Sequence, residues 1–308
     1  MQSLTLTQQS TVIPNIQVTA QEVFDLLDVS AATRQDYKYR IGHFLAFIAG
    51  GQFSRTSFLE YKRSLEARTD YSVATKNKYL AAARIFLKEL NKLGVLPADI
   101  TQNIKVFSQS KKHKKDGLND EEIQLLTTEV ASLSPTPQNL RLKAILSLLA
   151  FQGLRQVEIV RLDVKDLDLV RKVAYVRGKG RDDKEAVSLH PETVHALKDY
   201  LKANRVASGA LFSSQSNNQR NSRLTTRSIR LIVKDSLNGL GIDKSTHGFR
   251  HYFTTKLIKT YRGDLLEVAQ YTRHRNLEML QVYNDSIKKE ADLPRFYGAF
   301  SGVSFSSN

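Results

Sequence analysis

The side chains best suited to chemistry in this chain are cationic, and several of them cluster. Residues 245–257 read STHGFRHYFTTKL, placing His247, Arg250 and His251 within five positions of a chain with seven histidines in 308 residues. His247 and Arg250 are three apart, so a helix here turns both toward one pocket. His251 projects about 100° round such a helix from Arg250 and reads as supporting structure. His247 and His251, four apart, also have the spacing of two metal ligands on one helical face. A zinc-protease helix requires Glu directly after its first histidine, and Gly248 stands there instead. Arg250, between the two, would repel a dication. No metal is expected; the histidines are either satisfied surface or core residues or part of a site that handles phosphate.

Further cations lie elsewhere in the second half. Arg155 sits in FQGLRQVEI, where a glycine interrupts one helical pattern just before another begins. Lys179 sits in VRGKGRDDKEA, a glycine-flanked turn between two short strand patterns, from which a long amine could reach inward. His274 follows in TRHRN, and Tyr283 comes nine residues later in LQVYND. Phosphodiester cleavage without metal needs these types. Guanidinium groups grip the non-bridging oxygens bidentately. An acid must protonate the leaving alkoxide, and a nucleophile must attack in line. No G-x-x-x-x-G-K-[ST] loop, no G-x-G-x-x-G after a strand and no G-x-S-x-G elbow occurs, so neither ATP nor NAD chemistry is expected, and no cofactor. Cysteine is absent, which excludes disulfides, thiol nucleophiles and cysteine-based zinc sites.

In order, Arg155, Lys179, His247, Arg250, His274 and Tyr283 resemble the catalytic set of the tyrosine recombinase (phage integrase) family: Arg, Lys, His-x-x-Arg, His or Trp, and Tyr. The separations, 24 residues from Arg155 to Lys179 and nine from His274 to Tyr283, are similar to those of its Xer-type, two-domain members. Glu158 matches the acidic residue three after the first arginine. The resemblance implies that Tyr283 attacks a scissile phosphate, giving a 3′-phosphotyrosyl link and a free 5′-hydroxyl, with no metal and no ATP. It implies that Arg155 and Arg250 stabilise the phosphorane and that Lys179 is the acid. His247 would assist the tyrosine proton, His274 would hydrogen-bond a phosphate oxygen, and Glu158 would orient its neighbours. The implied partner is double-stranded DNA carrying specific recombination sites, with four protomers assembled on it. Two departures stand out. Thr272-Arg273-His274 replaces the family's Leu-Gly-His, so Arg273 could crowd the helix or add a phosphate contact. Lys184-Glu185-Ala186 lacks an arginine often seen near its third position. A type IB topoisomerase uses related chemistry, but would carry a lysine where His247 stands and a longer arginine-to-lysine spacing. A non-catalytic DNA-binding protein of the same fold would show decay of the set, and none is visible.

The elements that must position this set divide the chain. Forty-six Lys+Arg against 31 Asp+Glu give a net charge of +15, which favours a polyanionic partner, nucleic acid before membrane. Residues 1–16 are polar and read as a flexible tail. Residues 17–107 carry four amphipathic helical patterns: one opens at a Thr19 cap, another sets Tyr37, Ile41, Phe44 and Ile48 on one face and stops at Gly50-Gly51, and the fourth ends at Gly94. Residues 108–117 form a basic linker. Its Lys111, Lys112, Lys114 and Lys115 are either solvated charge or a strap along a phosphate backbone. Residues 118–308 mix helical patterns with three short β-branched runs, VKDLDLV, KVAYVRG and EAVSLH. The expected fold is mainly α: a helical-bundle core-binding (SAM-like) N-terminal domain plus a mixed α/β catalytic domain with a small antiparallel sheet. Leu293, Phe296, Tyr297 and Phe300 follow the tyrosine without an obvious core of their own, and pack either in cis or on a neighbouring protomer. The N-terminus has neither the basic start nor the apolar stretch of a signal peptide, and no apolar run is long enough to cross a bilayer. A cytoplasmic protein is expected, nucleoid-associated if bacterial.

Overall fold

The computed structural model describes residues 22–49, 53–109, 117–178, 183–214, 222–274, 276–299 and 301. The tail 1–16, the Thr19 cap, Gly50-Gly51, Phe300, the lysines 111, 112, 114 and 115, and Lys179 lie outside them. The chain separates into two compact units, Met1–Lys111 and Lys112–Asn308.

In the first unit the described residues form α1 (22–26), α2 (Ala31–Ala49), α3 (Ser57–Ala67) and α4 (Val73–Lys92). On α2, Ile41, Phe44 and Ile48 are buried and Tyr37 packs at their edge, the stripe that a 3.6-residue period requires. Facing helices supply Phe58, Tyr61 and Leu65, then Leu80, Ala83, Phe86, Leu87 and Leu90. Each large side chain withdrawn from water in this way contributes roughly 1.5–3 kcal/mol. The Ser72 hydroxyl caps α4 by accepting the Thr75 N–H at 3.2 Å. Toward the unit's end, the Asn77 amide donates to the Phe107 carbonyl and accepts the Phe107 N–H, both at 2.9 Å. That pair of bonds ties the departing chain to α4.

The second unit is built round one helix. On α6 (Pro137–Gln152), Ala144, Ile145, Leu146, Leu148 and Leu149 are all buried, too continuous a run for a one-faced helix. It must be wrapped, and α8 (Pro191–Asn204) and α10 (Thr246–Thr260) pack on it. Before it, α5 (Asp120–Ser132) opens with a capping box: Asn119 Oδ1 accepts the Glu122 N–H at 2.7 Å, and the Glu122 carboxylate accepts the Asn119 N–H at 3.0 Å. After it come α7 (Gln156–Arg161) and an antiparallel sheet of order β1 (Leu167–Asp168), β2 (Val173–Arg177), β3 (Lys184–Ser188). Ala174 pairs with Val187 in register; with Val176 they face the core, while Tyr175 and Arg177 point out.

The run 164–170 is not one strand. Val164–Asp166 is a 3-10 turn, closed by the Asp163 N–H donating to Asp166 Oδ2 at 3.0 Å. Asp168 Oδ1 then accepts the N–H groups of Val170 (3.2 Å) and Arg171 (2.8 Å) and bends the chain after two strand residues. The remaining helices are α9 (Thr226–Asn238), α11 (Leu265–Thr272) and α12 (Leu277–Gly298). Ile258, Val268, Leu280 and Tyr283 form a small core where α10, α11 and α12 meet. The helix carrying Tyr283 continues over Leu293, Phe296 and Tyr297 and runs through Pro294. Near its end Phe296 and Tyr297 are exposed, their ring centroids 5.7 Å apart.

Candidate active site

Arg155 reaches the site because α6 stops abruptly. Gly153 closes that helix in the left-handed region (φ 57°, ψ 30°), and a Cβ there would lie 2.4 Å from Phe253 Cδ1. Only glycine meets both demands. Two residues later Arg155 stands at the N-cap of α7, where Glu158 folds back on it. The Arg155 N–H donates to Glu158 Oε2 at 2.8 Å, and Arg155 Nη1 donates to Oε1 at 2.8 Å. Glu158 is 1% exposed, whereas the Arg155 side chain remains 36% exposed and reaches toward solvent.

Arg250, 3% exposed, comes from the middle of α10. Its Nη1 donates to the Gly153 carbonyl at 2.7 Å and its Nη2 to the Thr272 carbonyl at 2.6 Å. Both acceptors lie at helix C-termini, where the unpaired carbonyls are concentrated and a cation is favoured. One guanidinium thus joins the ends of α6 and α11. Burial, helped by the charges of Arg155 and Arg273, lowers its pKa to about 10, so it stays cationic at neutral pH.

His274 follows directly. Its Nδ1 lies 2.8 Å from the Thr272 hydroxyl, and its Nε2 is 3.5 Å from Arg250 Nη2. Burial first, then the charges of Arg250, Arg155 and Arg273, push its pKa down to about 3. The imidazole is neutral here. A phosphate entering beside it would reverse the sign of the local field and favour its charged, donating form.

Tyr283 is 7% exposed, packed in the small core of α10, α11 and α12. Burial raises its pKa while the Arg250 charge pulls the other way. Its ring centroid is 4.9 Å from that of His251, and the His251 centroid is 4.9 Å from that of His247, in edge-to-face geometry. His251 is therefore buried support between an exposed histidine and the tyrosine. It is held tightly: a Cβ on Gly117 would lie 2.6 Å from the His251 Cβ, and the Leu118 N–H donates to the Gly248 carbonyl at 3.3 Å.

Of the expected set, Arg155 pairs with Glu158 and Arg250 lies beside His274, the two pairs close enough for their charges to act on one another, while His247 on α10 and Tyr283 on α12 flank His251. Lys179 lies outside the described residues, but the strand leading to it is fixed, with Arg161 Nη1 donating to the Gly178 carbonyl at 3.1 Å. Lys184, on the far strand of that hairpin, is engaged in an ion pair with the buried Asp166. The lysines 111, 112, 114 and 115 also fall outside. Sequence reasoning missed the Gly153 and Thr272 carbonyls that hold Arg250, since a carbonyl leaves no signature in residue type. It flagged Arg273 but not its partner: Arg273 Nη2 donates to Glu158 Oε2 at 3.0 Å.

Residues 117–290, more than half of the chain, match the phage integrase family. Over 290 residues the chain is 28% identical to a tyrosine recombinase, XerC, of Roseiflexus castenholzii, the match covering 89% of this chain and 90% of that protein. Its fold is similar to that of a XerH site-specific recombinase bound to palindromic difH substrate in a post-cleavage complex: TM-score 0.64, 23% identity, 77% of this chain and 71% of that one. It is also similar to lambda integrase in a tetramer bound to a Holliday junction: TM-score 0.68, 12% identity, 90% and 78% covered. The chain belongs to the phage integrase family, the tyrosine recombinases.

Proposed function

We propose that this chain is a site-specific DNA recombinase that cuts and rejoins duplex DNA through Tyr283. The observation that carries the reading is the meeting of Arg155, paired with the buried Glu158, and Arg250, beside His274, next to the helix that bears the tyrosine. Tyr283 Oη attacks the scissile phosphorus. A new P–O bond forms to the tyrosine, the P–O5′ bond breaks, and the 5′-oxygen leaves as a hydroxyl. Arg155 and Arg250 bear the added charge on the non-bridging oxygens, where comparable donors are worth roughly 10²–10³ in rate. Lys179 supplies the proton to the 5′-oxygen, a role supported by the engagement of its neighbour Lys184 with Asp166. His247 takes the tyrosine proton, and His274 donates to a phosphate oxygen. The 5′-hydroxyl of a partner strand then reverses the step, so the diester energy is retained and no ATP is used.

The first unit serves as the core DNA-binding domain, and the basic linker contacts phosphates. Four protomers assemble on paired sites, the exposed Phe296 and Tyr297 at the end of α12 packing on a neighbour. The reaction takes place in the cytoplasm, on the nucleoid in a bacterium. The test is a nicked suicide substrate carrying its recombination site, incubated with the protein in excess EDTA. An SDS-resistant complex joined to the DNA 3′-phosphate is expected. Linkage to the 5′ side, or abolition by EDTA with rescue by a divalent ion, would overturn the mechanism.

A further inference from the structure

Arg273 stands where a glycine would be easiest. It closes α11 in the left-handed region (φ 55°, ψ 38°), a conformation that strains any residue with a Cβ. The strain accompanies a long, charged side chain that is only 8% exposed. A buried guanidinium is itself costly unless it is paired. Its Nη2 meets Glu158 Oε2 at 3.0 Å, on a helix 115 residues earlier in the chain. The same carboxylate already holds Arg155 through both its side chain and its backbone N–H. Glu158 thus has two guanidinium partners, one of them the half-open Arg155 that faces an incoming phosphate. Burial works against ionisation of Glu158, yet Arg273, with the bonds from Arg155, outweighs it and keeps the carboxyl below its ordinary range.

We propose that Arg273 is a positioning residue for strand cleavage: by sharing the Glu158 carboxylate, it holds Arg155 in place without letting Glu158 neutralise it. With glycine at 273, Glu158 would have Arg155 as its guanidinium partner in the site. With arginine it has two, and with Arg250 nearby the pocket is left short of negative charge until a phosphate arrives. Arg273 does not crowd its helix, because its side chain turns back across α7. Nor does it need to touch the DNA, because its guanidinium is directed at Glu158.

The inference rests on the recombinase reading and is tested separately from it. Single-turnover cleavage of the suicide substrate is compared for the wild type and Arg273→Gly, on the normal phosphate and on a neutral methylphosphonate at the scissile position. Arg273→Gly relieves the backbone strain at φ 55° but removes one partner of the buried Glu158, which Arg155 still holds, so the variant should fold. It should cut the phosphate roughly tenfold or more slowly, since a misplacement of about 1 Å can cost up to about a hundredfold. On the methylphosphonate, which places less charge in the pocket, the deficit should shrink to within about twofold. A purely structural role would slow both substrates equally, and that result overturns the proposal, as does a wild-type rate on the phosphate. Should Arg273→Gly prove unstable, Arg273→Gln, which keeps the bulk without the charge, carries the same comparison. A wild type that cleaves neither substrate would contradict the recombinase reading itself.

Discussion

Replacing Gly153 by Ala should damage both stability and chemistry, and the two effects can be read apart. The left-handed φ of 57° costs a residue with a Cβ roughly 1–2 kcal/mol. The new Cβ would lie 2.4 Å from Phe253 Cδ1 and 2.9 Å from Cγ, where carbon pairs settle near 3.5–4 Å. The half-buried ring must retreat by about 1 Å, an overpacking cost of roughly 1–3 kcal/mol. Together these give about 2–5 kcal/mol, or a fall in Tm of roughly 5–15 °C for a domain of this size. The chemical effect follows from the Gly153 carbonyl, which holds Arg250 Nη1 at 2.7 Å. When the helix end shifts, that bond lengthens, and cleavage at a temperature where the variant is folded should fall about tenfold or more. Thermal denaturation and single-turnover cleavage are measured on the same preparation. Adding Phe253→Leu should recover the clash share of the stability but not the backbone share. An unchanged Tm would refute the left-handed cap and the ring contact. A lowered Tm with wild-type cleavage would refute the claim that this carbonyl positions Arg250.

Three further outcomes are expected. Lys179→Ala should cut a normal strand slowly but a strand with 5′-bridging sulfur at near the wild-type rate, because a thiolate leaves without an acid; Arg155→Ala should stay slow on both, and failure of sulfur to rescue Lys179→Ala would remove it as the acid. For His274, with a pKa of about 3 in the folded chain against an ordinary 6.5, the unfolded state binds more protons between those values. Its contribution to stability is therefore complete above pH 6.5 and disappears as the pH falls toward 3, so His274→Asn should flatten the wild-type fall in stability between pH 6 and 4, and parallel curves would contradict the burial account. Changing Lys111, Lys112, Lys114 and Lys115 together to Ala should lower the slope of log binding constant against log salt by about 0.9 for each phosphate these lysines neutralise, whereas an unchanged slope would return them to the solvent.

The parts of the fold legible in the sequence follow from periodicity and from residue type. The Ile41, Phe44, Ile48 stripe and the alternation through Ala174 and Val176 mark their buried faces directly. The six candidate catalytic residues are legible by their types and order. At 164–170 the β-branched and apolar residues carry a strand signal, but the local bonds of Asp166 and Asp168 to backbone N–H groups win over so short a segment. The helix through Pro294 is harder to read because proline penalises a helix interior, yet its ring removes a single N–H that the rest of a long helix outlasts. Least legible is the support of the site. The carbonyls of Gly153 and Thr272 depend on where two helices end in space, and the Arg273–Glu158 pair joins residues more than a hundred positions apart. No local pattern encodes such a meeting.

The central claim is that Tyr283 becomes covalently joined to DNA, and Tyr283→Phe tests it most directly. Removing one hydroxyl from a ring held by Ile258, Val268 and Leu280 leaves the packing in place, so the variant should fold and bind its site as the wild type does. Incubated with the nicked suicide substrate, the wild type should give an SDS-resistant protein–DNA complex, and Tyr283→Phe should give none. A covalent complex formed by Tyr283→Phe would show that another residue is the nucleophile and contradict the account at its root.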